Sequence, residues 1–168
     1  MEPAVDISEL YAAHWLSLVR MAVLLVDDMA SAEDVVQDAF AALARRPEAV
    51  RDPSRALAYL RVSVVNTARS ALRRRRTARA YSPPHDLSPP SPEDSAVLAE
   101  EHRAVIAALH TLAPRQREVL VLRYWSHLSE SEIARTLEIS QGTVKSTASR
   151  ALVALEKALQ PTSVKEER

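Results

Sequence analysis

The sequence has no cysteine and only one glycine, Gly142, in 168 residues. Without thiols there is neither a disulfide framework nor a thiolate metal centre. Glycine usage averages about 7 %, and the tight turns that connect strands depend on it. A chain this long with a single glycine is therefore read as all-helical. The same shortage excludes a glycine-rich phosphate loop and a dinucleotide fingerprint, and with them most nucleotide-dependent enzymes. The longest apolar run, Met21 to Val26, falls far short of the roughly 20 residues that cross a bilayer. The first residues are acidic, with no basic leader ahead of an apolar stretch, so neither a signal peptide nor membrane insertion is expected. The expected location is the cytoplasm.

Histidine offers no catalytic cluster. His14, His85, His102, His110 and His127 are scattered. His102 and His110 are eight residues apart, whereas two ligands on one helical face lie three or four apart. No metal, cofactor or catalytic residue is expected.

What the chain does have is charge sorted into blocks. Its formal net charge is zero, yet residues 1–54 carry 4 basic and 10 acidic side chains, while residues 55–80 carry 8 arginines and no acid. Such segregation suits one face for a basic protein partner and another for nucleic acid. Five of the ten prolines fall between Thr77 and Pro92. Proline-rich stretches are extended and semi-rigid, so this one reads as a linker. It separates an N-terminal domain of three helices, residues 1–76, from a C-terminal domain of four, residues 93–160, followed by a tail, 161–168.

Helix signals place the elements. Apolar residues at Ile7, Leu10, Tyr11, Leu18 and Leu25 give a first helix from Asp6 to Val26. Ser31 with Asp34 resembles a capping box that starts a second, with Val36, Ala39, Phe40 and Leu43 on its inner face. Asp52 and Pro53 open a third, expected to run to about Arg76 and to bury Leu57, Leu60, Val64, Ala68, Ala71 and Leu72. Ser91-Pro92 starts a fourth, to about Leu112, and Pro114 a fifth, to about Trp125. Ser129 and Glu132 form a capping box for a short helix ending near Leu137, and a last helix spans Ser140 to Leu159.

Those last two helices have the form of a helix-turn-helix. At 100° per residue, Val144, Ala148, Ala151, Leu152, Leu155 and Leu159 share one side. The other side carries Thr143, Ser146, Ser149 and Arg150, with Lys145 on the flank. Small polar residues permit close approach to a major groove, and the cations reach bases or phosphates. The bland alternative is a solvated polar face. Glu138 sits where the backbone must turn left-handed, a place that favours glycine, so a positive φ is expected there at a cost of roughly 1–2 kcal/mol.

The third helix is two-faced as well. Tyr59, Val62, Asn66, Arg69, Ser70 and Arg73 lie opposite its apolar stripe, and the run Arg73 to Arg76 extends the basic path. Aromatic rings stack on unpaired bases, Asn reads a base edge and arginines hold phosphates. Arginines at a helix C-terminus also favour its dipole without any ligand. On the second helix, Asp34 and Asp38 lie four apart with Gln37 between them. Like charges at that spacing are mildly destabilising, and a basic partner would relieve them.

In this order, AEDVVQDAF (32–40), AYLRVSVVNTARSALRRRR (58–76), LAPRQREVLVLRYWSHLSESEIA (112–134) and GTVKSTASRAL (142–152) resemble the bacterial RNA polymerase sigma factors of the extracytoplasmic-function group. The resemblance covers residues 6–160. It implies a non-enzymatic polymerase subunit that directs transcription from promoters with minus-ten and minus-thirty-five elements. It implies core polymerase docking at Asp34, Gln37, Asp38 and Phe40. Minus-ten contacts fall to Arg55, Tyr59, Val62, Asn66, Arg69, Ser70, Arg73 and Arg74, with a base-capturing loop around Arg51 to Arg55. Arg115, Thr143, Lys145, Ser146, Ser149 and Arg150 would meet the minus-thirty-five duplex. An anti-sigma factor is a further implied partner. Tyr59 stands where many members carry tryptophan, and Thr147 where many carry arginine, which removes one DNA contact. The alternative is a helix-turn-helix repressor or activator that works without the polymerase, as a dimer on a palindrome with half-sites about 34–36 Å apart.

Overall fold

The computed structural model describes residues 6–26, 28–81 and 100–160, and the side chains of all of these except 79–81 and 100–102. Every regular element among them is helical. The chain divides into two compact units between Ala96 and Val97.

The N-terminal unit is built from α1 (Ile7–Val23), α2 (Met29–Arg45) and α3 (Ala56–Tyr81). Asp6 caps α1 by accepting from the Ser8 and Glu9 amides. The helix ends earlier than its apolar pattern suggests. Leu24, Leu25 and Val26 form a turn rather than a further helical turn, with Leu25 N–H donating to the Ala22 carbonyl at 2.8 Å. All three are buried, so the apolar pattern continues because the turn itself is tucked into the core. Conversely Tyr11, expected inside, is 43 % exposed.

The cap of α2 is Asp28, not Ser31. Asp28 has extended backbone and accepts the Ser31 amide at 2.8 Å, and the Ser31 hydroxyl returns a hydrogen bond to the same carboxylate. Val36, Ala39, Phe40 and Leu43 are buried as expected. Asp52 and Pro53 open a 3-10 turn, Pro53–Arg55, that leads directly into α3. Buried on α3 are Ala56, Leu60, Val64, Val65 and Ala68, while Leu57, Ala71 and Leu72 are half-buried. The helix passes the expected stop at Arg76 and reaches Tyr81. Nothing in Thr77 to Tyr81 breaks a helix before the restriction imposed by Pro83. The rest of the expected linker, and the Ser91-Pro92 start of the fourth helix, lie outside the described residues.

The C-terminal unit holds α4 (Glu100–Thr111), α5 (Pro114–Leu120), α6 (Glu130–Leu137) and α7 (Gln141–Leu159). Proline at the first position starts α5, which widens into a π turn over Val121–Trp125. The Ser129–Glu132 capping box is formed in both directions. Val119, Leu122, Ile133, Leu137 and Val144 are the centre of the core. On α7 burial stops at Ala151: Val144, Thr147, Ala148 and Ala151 are buried, whereas Leu152 and Leu159 are exposed and Leu155 is half-buried. Helical periodicity identifies the inner face but not how far the neighbouring helices reach along it.

Glu138 has φ 55° and ψ 47°, the left-handed conformation its place in the turn demands. Replacing it with glycine removes a steric penalty of about 1 kcal/mol. Glu138→Gly is therefore expected to raise the thermal midpoint of the C-terminal unit by roughly 4–8 °C, read by circular dichroism. A lowered midpoint would contradict a strained turn.

Candidate nucleic-acid interface

Two surfaces carry the chemistry that nucleic acid needs. On α3, Asn66 and Arg73 are exposed, and Tyr59, Val62, Arg69 and Ser70 are half-exposed. Arg69 Nη1 lies 3.5 Å from Asn66 Oδ1, and Arg73 Nη2 is 3.5 Å from Ser70 Oγ. The face is thus a ladder of amide, hydroxyl and guanidinium groups along one side of a helix. Arg55 and Arg74 are also exposed. In the turn before α3 the Ser54 hydroxyl and amide hold Asp52 below the usual carboxylate range, and Arg55 adds to this at 3.6 Å.

The arginine run is not uniform. Arg75 crosses to the start of α2, where its Nη1 lies 2.9 Å from Asp28 Oδ2 and its Nη2 donates to the Ser31 hydroxyl. Partial burial pushes the Asp28 carboxyl up, but hydrogen bonds from Ser31 and Arg75 together hold it below 3.8. A depressed carboxyl stabilises the fold above its unfolded value, and that stabilisation disappears as pH falls through the folded value. Asp28→Asn keeps the helix cap but breaks the ion pair. With solvent screening, the expected loss is about 0.5–1 kcal/mol at neutral pH, fading as pH falls through the lowered folded-state value of Asp28. Thermal unfolding across pH checks this. A gap between variant and wild type that persists in acid contradicts it.

The docking residues expected on α2 separate into two kinds. Asp34, Gln37 and Asp38 are exposed side by side. Phe40 is buried, 5 % exposed, and packs its ring 5.1 Å from Tyr11 and 6.4 Å from Trp15. It supports the face from beneath and does not present itself.

The second surface is α7, capped by Ser140, which accepts from the Thr143 amide at 3.0 Å. Thr143, Lys145, Ser146, Ser149 and Arg150 are all exposed. So is Gly142, where an added Cβ would meet only Ser140 Oγ at 3.8 Å. Arg115 lies on α5, not on α7. Its Nη1 donates to the Leu137 carbonyl at 3.2 Å, at the end of α6, and pairs with Glu118 at 3.3 Å. Thr147 is buried, 5 % exposed, so its position offers no outward contact. His127 is also left-handed (φ 53°) and leads the π turn into α6, a conformation in which histidine is enriched among non-glycine residues. Among the described residues no group of three or more His, Asp or Glu could hold a metal, and no helix is long and apolar enough to cross a membrane.

Both surfaces fall inside segments that match family models. Residues 10–78 match Sigma-70 region 2, and residues 102–155 match Sigma-70, region 4. The chain belongs to the extracytoplasmic-function group of the sigma-70 family of RNA polymerase sigma factors. It is 40 % identical over 144 residues to an RNA polymerase sigma-E factor of Streptomyces coelicolor, covering 85 % of this chain and 80 % of that protein. It is 33 % identical over 160 residues to the ECF RNA polymerase sigma factor SigL of Mycobacterium tuberculosis, covering 92 % and 89 %. Among solved structures, CnrH in complex with the cytosolic domain of CnrY aligns with a TM-score of 0.65 at 28 % identity, over 91 % of this chain and 86 % of that one. The sigma factor RpoE in complex with the anti-sigma factor NepR from Bartonella quintana shares the fold, with a TM-score of 0.72 at 24 % identity, over 92 % and 96 %. As a sigma factor the chain is a non-catalytic polymerase subunit that directs promoter recognition. The region 2 match gives the N-terminal half a role that a lone helix-turn-helix regulator would leave vacant.

Proposed function

We propose that the two units of this sigma factor divide promoter recognition between them. The N-terminal unit docks on core polymerase through Asp34, Gln37 and Asp38, with Phe40 as their support. The outer face of α3 then engages the minus-ten element. Asn66 reads an unpaired base edge, Tyr59 and Val62 wedge beside the bases, and Arg69, Ser70, Arg73 and Arg74 hold the backbone, with Arg55 in the capture loop. Melting draws on binding unstacked bases in a site formed in advance, with no nucleotide consumed. In the C-terminal unit Thr143, Lys145, Ser146, Ser149 and Arg150 enter the minus-thirty-five major groove, and Arg115 follows the adjoining backbone.

The observation that carries this reading is the exposed pairing of small polar and cationic residues at the N-terminal end of α7, which suits close approach to a groove. Because the Bartonella RpoE was solved with the anti-sigma factor NepR and CnrH with the cytosolic domain of CnrY, we extend to this chain an anti-sigma factor that covers the same surfaces. Its place of action is the cytoplasm, with polymerase and DNA. A footprint of the holoenzyme tests the division. Lys145→Ala with Arg150→Ala is expected to erase upstream protection while polymerase binding persists. Unchanged upstream protection would overturn the assignment of α7.

A further inference from the structure

The cations around α7 are not presented alike. Lys145 Nζ lies 3.6 Å from Glu130 Oε2, while Arg123 Nη1 lies 3.3 Å from the other oxygen of the same carboxylate. Arg123 is steadied further by Tyr124, whose ring centroid is 5.7 Å from the guanidinium carbon. The Glu130 side chain is only 28 % exposed, against 68 % for Lys145. A half-buried carboxylate at the first position of α6 thus sits between two cations, beside the helix assigned to duplex DNA. A carboxylate near a polyanion is unfavourable on every sequence. An acid in the first turn does favour the α6 dipole, and single surface ion pairs contribute little to stability. Neither effect requires both oxygens to hold cations from two other elements.

We propose that Glu130 is a specificity-determining residue of the α7 surface, holding Lys145 and Arg123 in aimed positions and keeping them from gripping DNA phosphates indiscriminately. The proposal rests on the assignment of α7 to duplex DNA. An unrestrained lysine is a flexible point charge with three rotatable donors. It releases counterions from any phosphate it reaches, which strengthens binding to every sequence alike. Tethered to Glu130, the ammonium projects its remaining donors from a fixed point. The cluster as a whole carries one positive charge instead of two. Non-specific attraction falls, and the contacts left to decide affinity are those to base edges.

The test uses the full chain and a short labelled duplex of random sequence, titrated between about 50 and 200 mM salt. Wild type, Glu130→Gln, Lys145→Gln, Arg150→Ala and the double variant Glu130→Gln/Lys145→Gln are compared, with thermal midpoints as a folding control. Glu130→Gln is expected to bind more tightly at low salt. Its salt slope should steepen by about 0.9 per phosphate gained, so that each gained contact costs it roughly 3.5-fold more affinity across that range. Lys145→Gln alone should weaken binding, because it removes one of the cations assigned to the duplex, and the double variant should lose most of the gain of Glu130→Gln. Glu130→Gln with wild-type affinity and slope overturns the proposal, as does a double variant that binds as tightly as Glu130→Gln. Arg150→Ala serves as the separate check. If it leaves duplex binding unchanged, the assignment of α7 to DNA fails, and the proposal fails with it for that distinct reason.

Discussion

Asn66→Ala is expected to leave polymerase binding intact and to abolish open-complex formation. The Asn66 side chain is exposed on α3 and takes no part in the core, so its removal leaves the N-terminal unit folded. Its amide is the one group on this face that carries donor and acceptor on separate atoms, as bidentate pairing with a base edge requires. A good bidentate contact of that kind contributes about 1–3 kcal/mol of discrimination, and here it would be formed only with an unstacked base. The substitution also removes the acceptor 3.5 Å from Arg69 Nη1, leaving that guanidinium less well aimed. Permanganate reactivity of unpaired thymines reads the bubble directly. Normal reactivity in the variant defeats the assignment of Asn66.

Asp34→Lys combined with Asp38→Lys is expected to weaken binding to core polymerase by at least roughly 30-fold, in line with losses of 2–5 kcal/mol when charge pairs at an interface are disrupted. Both carboxylates are exposed on the same side of α2, one helical turn apart. Within the isolated protein they repel each other mildly, and the two lysines would do the same, so folding is expected to be unaffected. Affinity and stability are thereby separated in one variant. Pull-down with purified core enzyme measures the first and circular dichroism the second. Unchanged affinity would remove α2 as the docking face.

Much of this architecture is legible in the sequence because its signals are local. The Ser129–Glu132 box, the Asp52-Pro53 start and the left-handed Glu138 each follow from neighbours a few residues away. Where two local signals compete, only packing decides. Asp28 and Ser31 are both good caps three residues apart, and the carboxylate prevails because it also receives Arg75 from α3. The same cross-brace hides in the arginine run, where Arg75 cannot be told from Arg73 or Arg74 until the fold brings Asp28 to it. Phe40 reads equally as core or contact until Tyr11 and Trp15 are seen against it. Leu152 leaves its expected place in the core because the stripe on α7 is covered only as far as Ala151, while Thr147, three residues after Val144, lies within the covered part. The Arg123–Glu130–Lys145 cluster joins three elements, and no periodicity within one helix announces it.

Transcription in vitro with purified core polymerase and a library of genomic fragments tests this division of promoter recognition most directly. Adding this sigma factor is expected to yield transcripts from a small set of fragments that share two upstream elements, one lost with Asn66→Ala and the other with the α7 substitutions. Transcription no more selective than that of core enzyme alone would contradict it.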